Sequence, residues 1–225
     1  MIKVILFDLD NTLIDFMKFK TICCEEAIDA MIDGGLNMKK ETALKRLFKL
    51  YYKEGLEDDT IFQKFLRQEC GKVDYRILAY GITAYRKVRA GFLRPYPKTK
   101  QTLIKLKEKN LKLGILTDAP KLKAWIRLSN MQLDDFFDEV IAKEDTGKLK
   151  PDKKPFLVAM KRFKVKPEEC LMVGDRPKRD IVGAKSLGIH TCFAQYGYGK
   201  KVNSGANFTI DKIEELLKVV NKLSE

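Results

Sequence analysis

The chain has 225 residues, a formal net charge of +13, 45% apolar and 33% charged side chains. That length allows one large domain, or one domain carrying a sizeable insertion, and the composition is too apolar for a disordered chain. No stretch approaches the ~18 consecutive apolar residues of a membrane span, and Asp8 arrives before a signal-peptide core of about 7–15 apolar residues can form, so neither feature is predicted.

Residues 3–7 form a short apolar, β-branched run ending at acids, the pattern of a buried strand. From about Phe16 the rhythm changes. Apolar residues spaced by three and four predict amphipathic helices over 21–32, 39–52, 60–68 and 75–88, punctuated by Gly34-Gly35, Gly55 and Gly71. Beyond Pro95 and Pro97, helix and strand alternate. Helices are predicted at 99–109, 120–130, 155–163, 178–187 and 213–223, and strands at 112–116, 139–142, 170–173, 190–193 and 208–210. Such alternation implies a mostly parallel sheet covered on both faces, an α/β class, with the four helices inserted after the first strand. The expected organisation is a core of 1–15 and 96–225 and a helical insertion of 16–95.

The five cysteines form no C-x-x-C and His190 is the single histidine, which argues against a Cys/His zinc site and against Ser-His-Asp or Cys-His catalysis. An odd number of cysteines without a signal implies mostly buried thiols in a reducing, cytoplasmic setting. Cys23-Cys24 are expected to be packing residues, Trp125 a core residue, and His190 structural. The positive charge is spread: 14–95 carries 16 basic and 12 acidic residues, the remainder 28 and 19. With no arginine-rich tract, the reading is a solvated lysine surface that suits anionic small molecules, with no nucleic-acid partner expected.

Three predicted strand ends carry polar residues that a core would not request: Asp8-Leu9-Asp10-Asn11-Thr12, Thr117-Asp118, and Gly174-Asp175 followed by Asp180. Ligands of an open parallel sheet bind beyond the carboxyl ends of its strands. Several carboxylates converging there are costly unless a cation joins them, and oxygen-only ligands suit Mg²⁺. Alone, D-x-D is a weak signal, because acids often follow strands as helix caps.

The longer string is specific. A hydrophobic strand with D-L-D-N-T-L, then T-D, Lys150-Pro151, and a strand with G-D-x4-D resembles the haloacid dehalogenase-like (HAD) hydrolase superfamily, over residues 2 to about 195. The inserted helices resemble that family's C1 cap. The resemblance implies a Rossmann-like core and a Mg²⁺-dependent phosphatase acting on a small sugar-, triose- or glycolate-phosphate. It implies Asp8 as nucleophile forming an aspartyl-phosphate, Asp10 as general acid/base, Thr117 as phosphoryl-binding hydroxyl and Lys150 as the neutralising cation, with Lys148 as competitor. Asp8, the Asp10 carbonyl, Asp175 and Asp180 are implied around the metal, Asp180 directly, through water or by orienting Lys150. Where the family often has Asn, this chain has Asp118, so only its backbone N–H is expected to touch phosphate. A 2-haloacid dehalogenase and a phosphomutase are rivals within the fold. A receiver-like module would be about half as long, without the insertion. Oligomeric state is not predicted.

Overall fold

The computed structural model describes residues 1–224, except for the side chains at positions 90 and 92. In chain order the elements begin with β1 (Val4–Phe7), α1 (Phe16–Asp33), α2 (Lys40–Glu54), α3 (Ile61–Cys70) and α4 (Tyr75–Phe92). They continue with α5 (Thr99–Glu108), β2 (Lys112–Leu116), α6 (Lys121–Asn130), β3 (Glu139–Ile141), α7 (Lys143–Thr146), α8 (Lys153–Phe163) and β4 (Cys170–Gly174). The chain closes with α9 (Val182–Lys185), β5 (His190–Ala194), α10 (Gln195–Tyr198), β6 (Phe208–Ile210) and α11 (Leu216–Lys222). Two compact units result: Met1–Asp15 with Arg94–Glu225, and Phe16–Leu93.

The first unit holds one six-stranded sheet in the order β3-β2-β1-β4-β5-β6, parallel at every pairing. β1 lies between β2 and β4 and is buried along its whole length, as a central parallel strand must be. Its alternation divides the core. Val4 and Leu6 join Leu116, Ile141, Cys170 and Met172 under Phe156, Ala159, Met160 and Phe163 of α8. On the opposite face Phe7 meets Phe137 edge-on, with ring centroids 6.1 Å apart. Ile14 pairs with Pro95 in an antiparallel bridge and Tyr96 N–H donates to the Leu13 carbonyl at 2.9 Å. These bonds tie Pro95 to the first unit, so the helical insertion ends at Leu93 rather than at residue 95.

The second unit is four helices around its own core. On α1, Cys24, Ala27, Ile28 and Met31 form one stripe, which packs with Ala43, Leu47, Leu50, Phe62, Phe65 and Leu66. Asp74 caps α4 by accepting the N–H groups of Arg76 and Ile77. Lys20 is buried here, donating to the Tyr85 hydroxyl at 3.0 Å and lying 4.1 Å from the Tyr51 ring centroid. Burial pushes the Cys23 and Cys24 thiols up to about 11 and about 12, as suits packing residues.

Two local expectations differ from the structure, and two short helices had none. The helix predicted over 178–187 opens as a π-type turn, Pro177–Ile181, before α9, because Asp180 is gripped there: its carboxylate accepts the Arg176 N–H at 2.9 Å. Trp125 is 40% exposed rather than in the core, since α6 turns Ala124, Arg127 and Leu128 inward and leaves Trp125 on the flank. The short helices α7 and α10 were not predicted; four residues carry too little periodicity to show.

Candidate active site

Because β1, β2 and β4 run parallel and adjacent, their carboxyl ends deliver Asp8, Thr117 and Asp175 to one edge of the sheet. The strand order reverses between β1 and β4, where open α/β sheets form their ligand crevice. Asp8 N–H donates to the Val173 carbonyl at 2.8 Å, which fixes the Asp8 backbone at the mouth of that crevice. Gly174 makes the approach of Asp180 possible: a Cβ there would lie 2.4 Å from the Asp180 Oδ2. One carboxylate oxygen from each of Asp8, Asp175 and Asp180 lies within 4.8 Å of the others, and all three residues are buried.

Lys150 closes the cluster. Its ammonium lies 2.7 Å from Asp8 Oδ1 and 2.7 Å from Asp180 Oδ1, and donates to the Leu116 carbonyl at 2.8 Å. Lys148 is exposed, so of the two candidates it is Lys150 that meets the carboxylates. Thr117 is buried, and its hydroxyl accepts the Ala119 N–H at 3.1 Å. Asp118 turns its carboxylate onto the Lys150 backbone N–H at 2.9 Å and toward Arg179 at 3.1 Å. Asp10 is held by Arg127, whose Nη1 is 2.8 Å from Asp10 Oδ2.

Charge explains what the cluster needs. Burial first, then the Asp8 and Asp180 carboxylates, push the Asp175 carboxyl up to about 8. Burial likewise raises Asp180, against the pull of Lys150. Burial alone would lower Lys150, but Asp180 and Asp8 more than reverse it and keep the ammonium charged. Asp8 Oδ2 and both oxygens of Asp175 are buried without a hydrogen-bond partner, although Arg176 Nε approaches Asp175 Oδ2 to 3.2 Å. Orphaned carboxylate oxygens with no nitrogen or sulfur donor in the cluster fit a hard divalent cation. Asp180 Oδ2 accepts the Arg176 N–H, while its Oδ1 lies 2.7 Å from the Lys150 ammonium and, like the Asp175 oxygens, has no hydrogen-bond partner.

Three contributors have no motif to announce them. Arg127 shows only as an arginine on the inward stripe of α6. Arg179 sits one residue before Asp180 and would pass for another surface cation. Tyr196 donates its hydroxyl to the Thr12 carbonyl at 2.8 Å, and nothing in its local sequence points to that loop.

The model of the haloacid dehalogenase-like hydrolases matches residues 5–194, and the chain belongs to that family. Among curated relatives, the glyceraldehyde 3-phosphate phosphatase of Methanocaldococcus jannaschii is 39% identical over 227 residues, covering 100% of both chains. That of Pyrococcus furiosus is 36% identical, over 98% of this chain and 94% of the relative. Among solved structures, an HAD phosphatase from Thermococcus onnurineus superposes with a TM-score of 0.72 at 27% identity, over 97% of this chain and 98% of that one.

Proposed function

We propose that the chain is a Mg²⁺-dependent phosphatase that hydrolyses a small phosphate ester, of triose-phosphate type such as glyceraldehyde 3-phosphate, through a phosphoryl group carried transiently on Asp8. The observation that carries this reading is the buried set of Asp8, Asp175 and Asp180 around the Lys150 ammonium. The names of the full-length relatives support the substrate class.

Asp8, Asp175 and the Asp10 carbonyl would hold the metal, and Asp180, one oxygen on the Arg176 N–H and the other against the Lys150 ammonium, would serve directly, through water or by fixing Lys150. When bound, Mg²⁺ supplies neutralising charge to carboxylates and phosphate alike. Lys150 steadies the phosphoryl oxygens as Asp8 attacks phosphorus and the ester oxygen departs. Thr117 donates its hydroxyl to a phosphoryl oxygen. Asp10 protonates the leaving alcohol, then takes a proton from the water that cleaves the acyl phosphate on Asp8. A halide leaving group needs no proton, so a positioned Asp10 favours an ester over a haloacid. The helical unit serves as the cap in this reading.

The five unpaired thiols suit the cytoplasm. Among the described residues no helix is long and apolar enough to cross a membrane. The test is phosphate release by purified protein from a panel of small phosphate esters and from 2-haloacids, with Mg²⁺ and with EDTA. Phosphate release only with Mg²⁺, strongest for triose phosphates, is expected. Halide release without ester cleavage, or full activity in EDTA, overturns the reading.

A further inference from the structure

Asp118 poses a problem that the rest of the site does not share. It is the chain neighbour of Thr117, and its Oδ1 accepts the backbone N–H of Lys150 at 2.9 Å. Its negative charge therefore sits between two residues assigned above to the phosphate, where it opposes an incoming dianion. The hold on Lys150 alone does not require that charge, because a neutral amide oxygen accepts the same hydrogen bond.

The second oxygen, Oδ2, lies 3.1 Å from Nη1 of Arg179, which belongs to a different segment, the turn that carries Asp180. The negative charges of Asp8, Asp180, Asp118 and Asp175 together favour the charged form of Arg179, against the cost of its burial. Its Nε is buried without a hydrogen-bond partner, so Asp118 does not exhaust the guanidinium. With Arg179 present, Lys150, Arg176 and Arg179 face Asp8, Asp118, Asp175 and Asp180; without it, two cations would face four carboxylates.

We propose that Asp118 and Arg179 act as one unit: Asp118 anchors the backbone of Lys150, and Arg179 cancels the charge that this anchor sets against the phosphate. The inference rests on the phosphatase reading. Asp118 is thus a positioning residue, and Arg179 sets the affinity of the site for phosphate. The plainer alternative is a partly exposed ion pair of little consequence, as many such pairs are.

The two differ in what a pair of substitutions does to phosphate binding. Inorganic phosphate, as a competitive inhibitor in Mg²⁺, is measured against the wild type, Asp118→Asn, Arg179→Gln and the double variant, with kcat, KM and Tm for each. Arg179→Gln should weaken phosphate by about tenfold and Asp118→Asn should tighten it several-fold, because each leaves one charge uncancelled. The double variant should return to within about threefold of the wild type. Arg179→Lys should keep most of the affinity, which separates charge from folding. Asp118→Ala, which loses the acceptor as well, should lower kcat more than Asp118→Asn does. Shifts of the same sign in both single variants, a double variant no better than Arg179→Gln, or a change in Tm with unchanged phosphate inhibition overturns the pairing. A wild type that turns over no phosphate ester overturns the functional reading instead.

Discussion

Lys150 and Lys148 are two residues apart in sequence, yet one is enclosed by carboxylates and the other faces solvent. Lys150→Ala should therefore lower kcat by about 10²–10³-fold, the usual cost of a preorganised charge, while Lys148→Ala stays near wild type. Steady-state kinetics of the two variants checks this, and a damaging Lys148 change with a mild Lys150 change would reverse the assignment. Asp8→Asn should be inactive and form no covalent adduct. Asp10→Asn keeps the nucleophile but lacks the group that activates water, so an acyl phosphate should leave a phosphate adduct visible by intact-protein mass spectrometry. Asp175 makes stability depend on pH. Its carboxyl lies at about 8 in the fold, against about 3.9 in an unfolded chain. Between those values the folded state holds the extra proton, so that contribution to the stability of metal-free protein is lost as pH rises through the window. Mg²⁺ competes with that proton, so it should raise Tm more at pH 8 than at pH 6. Thermal scans at both pH values check the sign.

The turn α10 shows how a four-residue element can matter to the site. Tyr196 donates to the Thr12 carbonyl, and its ring meets Tyr96 edge-on with centroids 4.9 Å apart. Beside it, a Cβ on Gly197 would fall 1.6 Å from the Asn11 carbonyl oxygen and 3.0 Å from Asp175 Cβ. Gly197→Ala must displace either the turn or the loop behind Asp8, so both kcat and Mg²⁺ affinity should fall. Tyr196→Phe, which loses one hydrogen bond and keeps the ring, should be milder; calorimetric Mg²⁺ titration and kinetics of both variants distinguish them. No periodicity reveals such an element, since its role lies in contacts to residues far away in sequence. The strands were legible because runs such as Val4–Phe7 and Lys112–Leu116 are buried on nearly every side and bounded by polar residues. Asp8, Asp175 and Asp180 were legible because polar residues interrupt those runs at fixed spacing. Arg127 and Arg179 were not, because a cation that completes a site and one that is solvated look alike until the fold brings a carboxylate to it.

For the whole molecule, the bridge between Ile14 and Pro95 has a consequence for how the chain reaches its fold. β1 and β2 pair through Val4 and Lys112, and the whole helical unit comes between them in the sequence. A disordered connection of about a hundred residues would add to the entropic cost of that pairing, and the cost rises by only about 0.6 kcal/mol per doubling of loop length. Once the helical unit has folded with its two ends side by side, the effective loop shrinks to roughly a third, a saving of about 1 kcal/mol. That is small beside the burial of β1. A version with residues 16–93 replaced by a short linker should therefore refold its sheet at a rate within about tenfold of the full chain. By the same arithmetic, this crossing can carry segments of very different size with little change in the loop-closure cost of pairing β1 with β2.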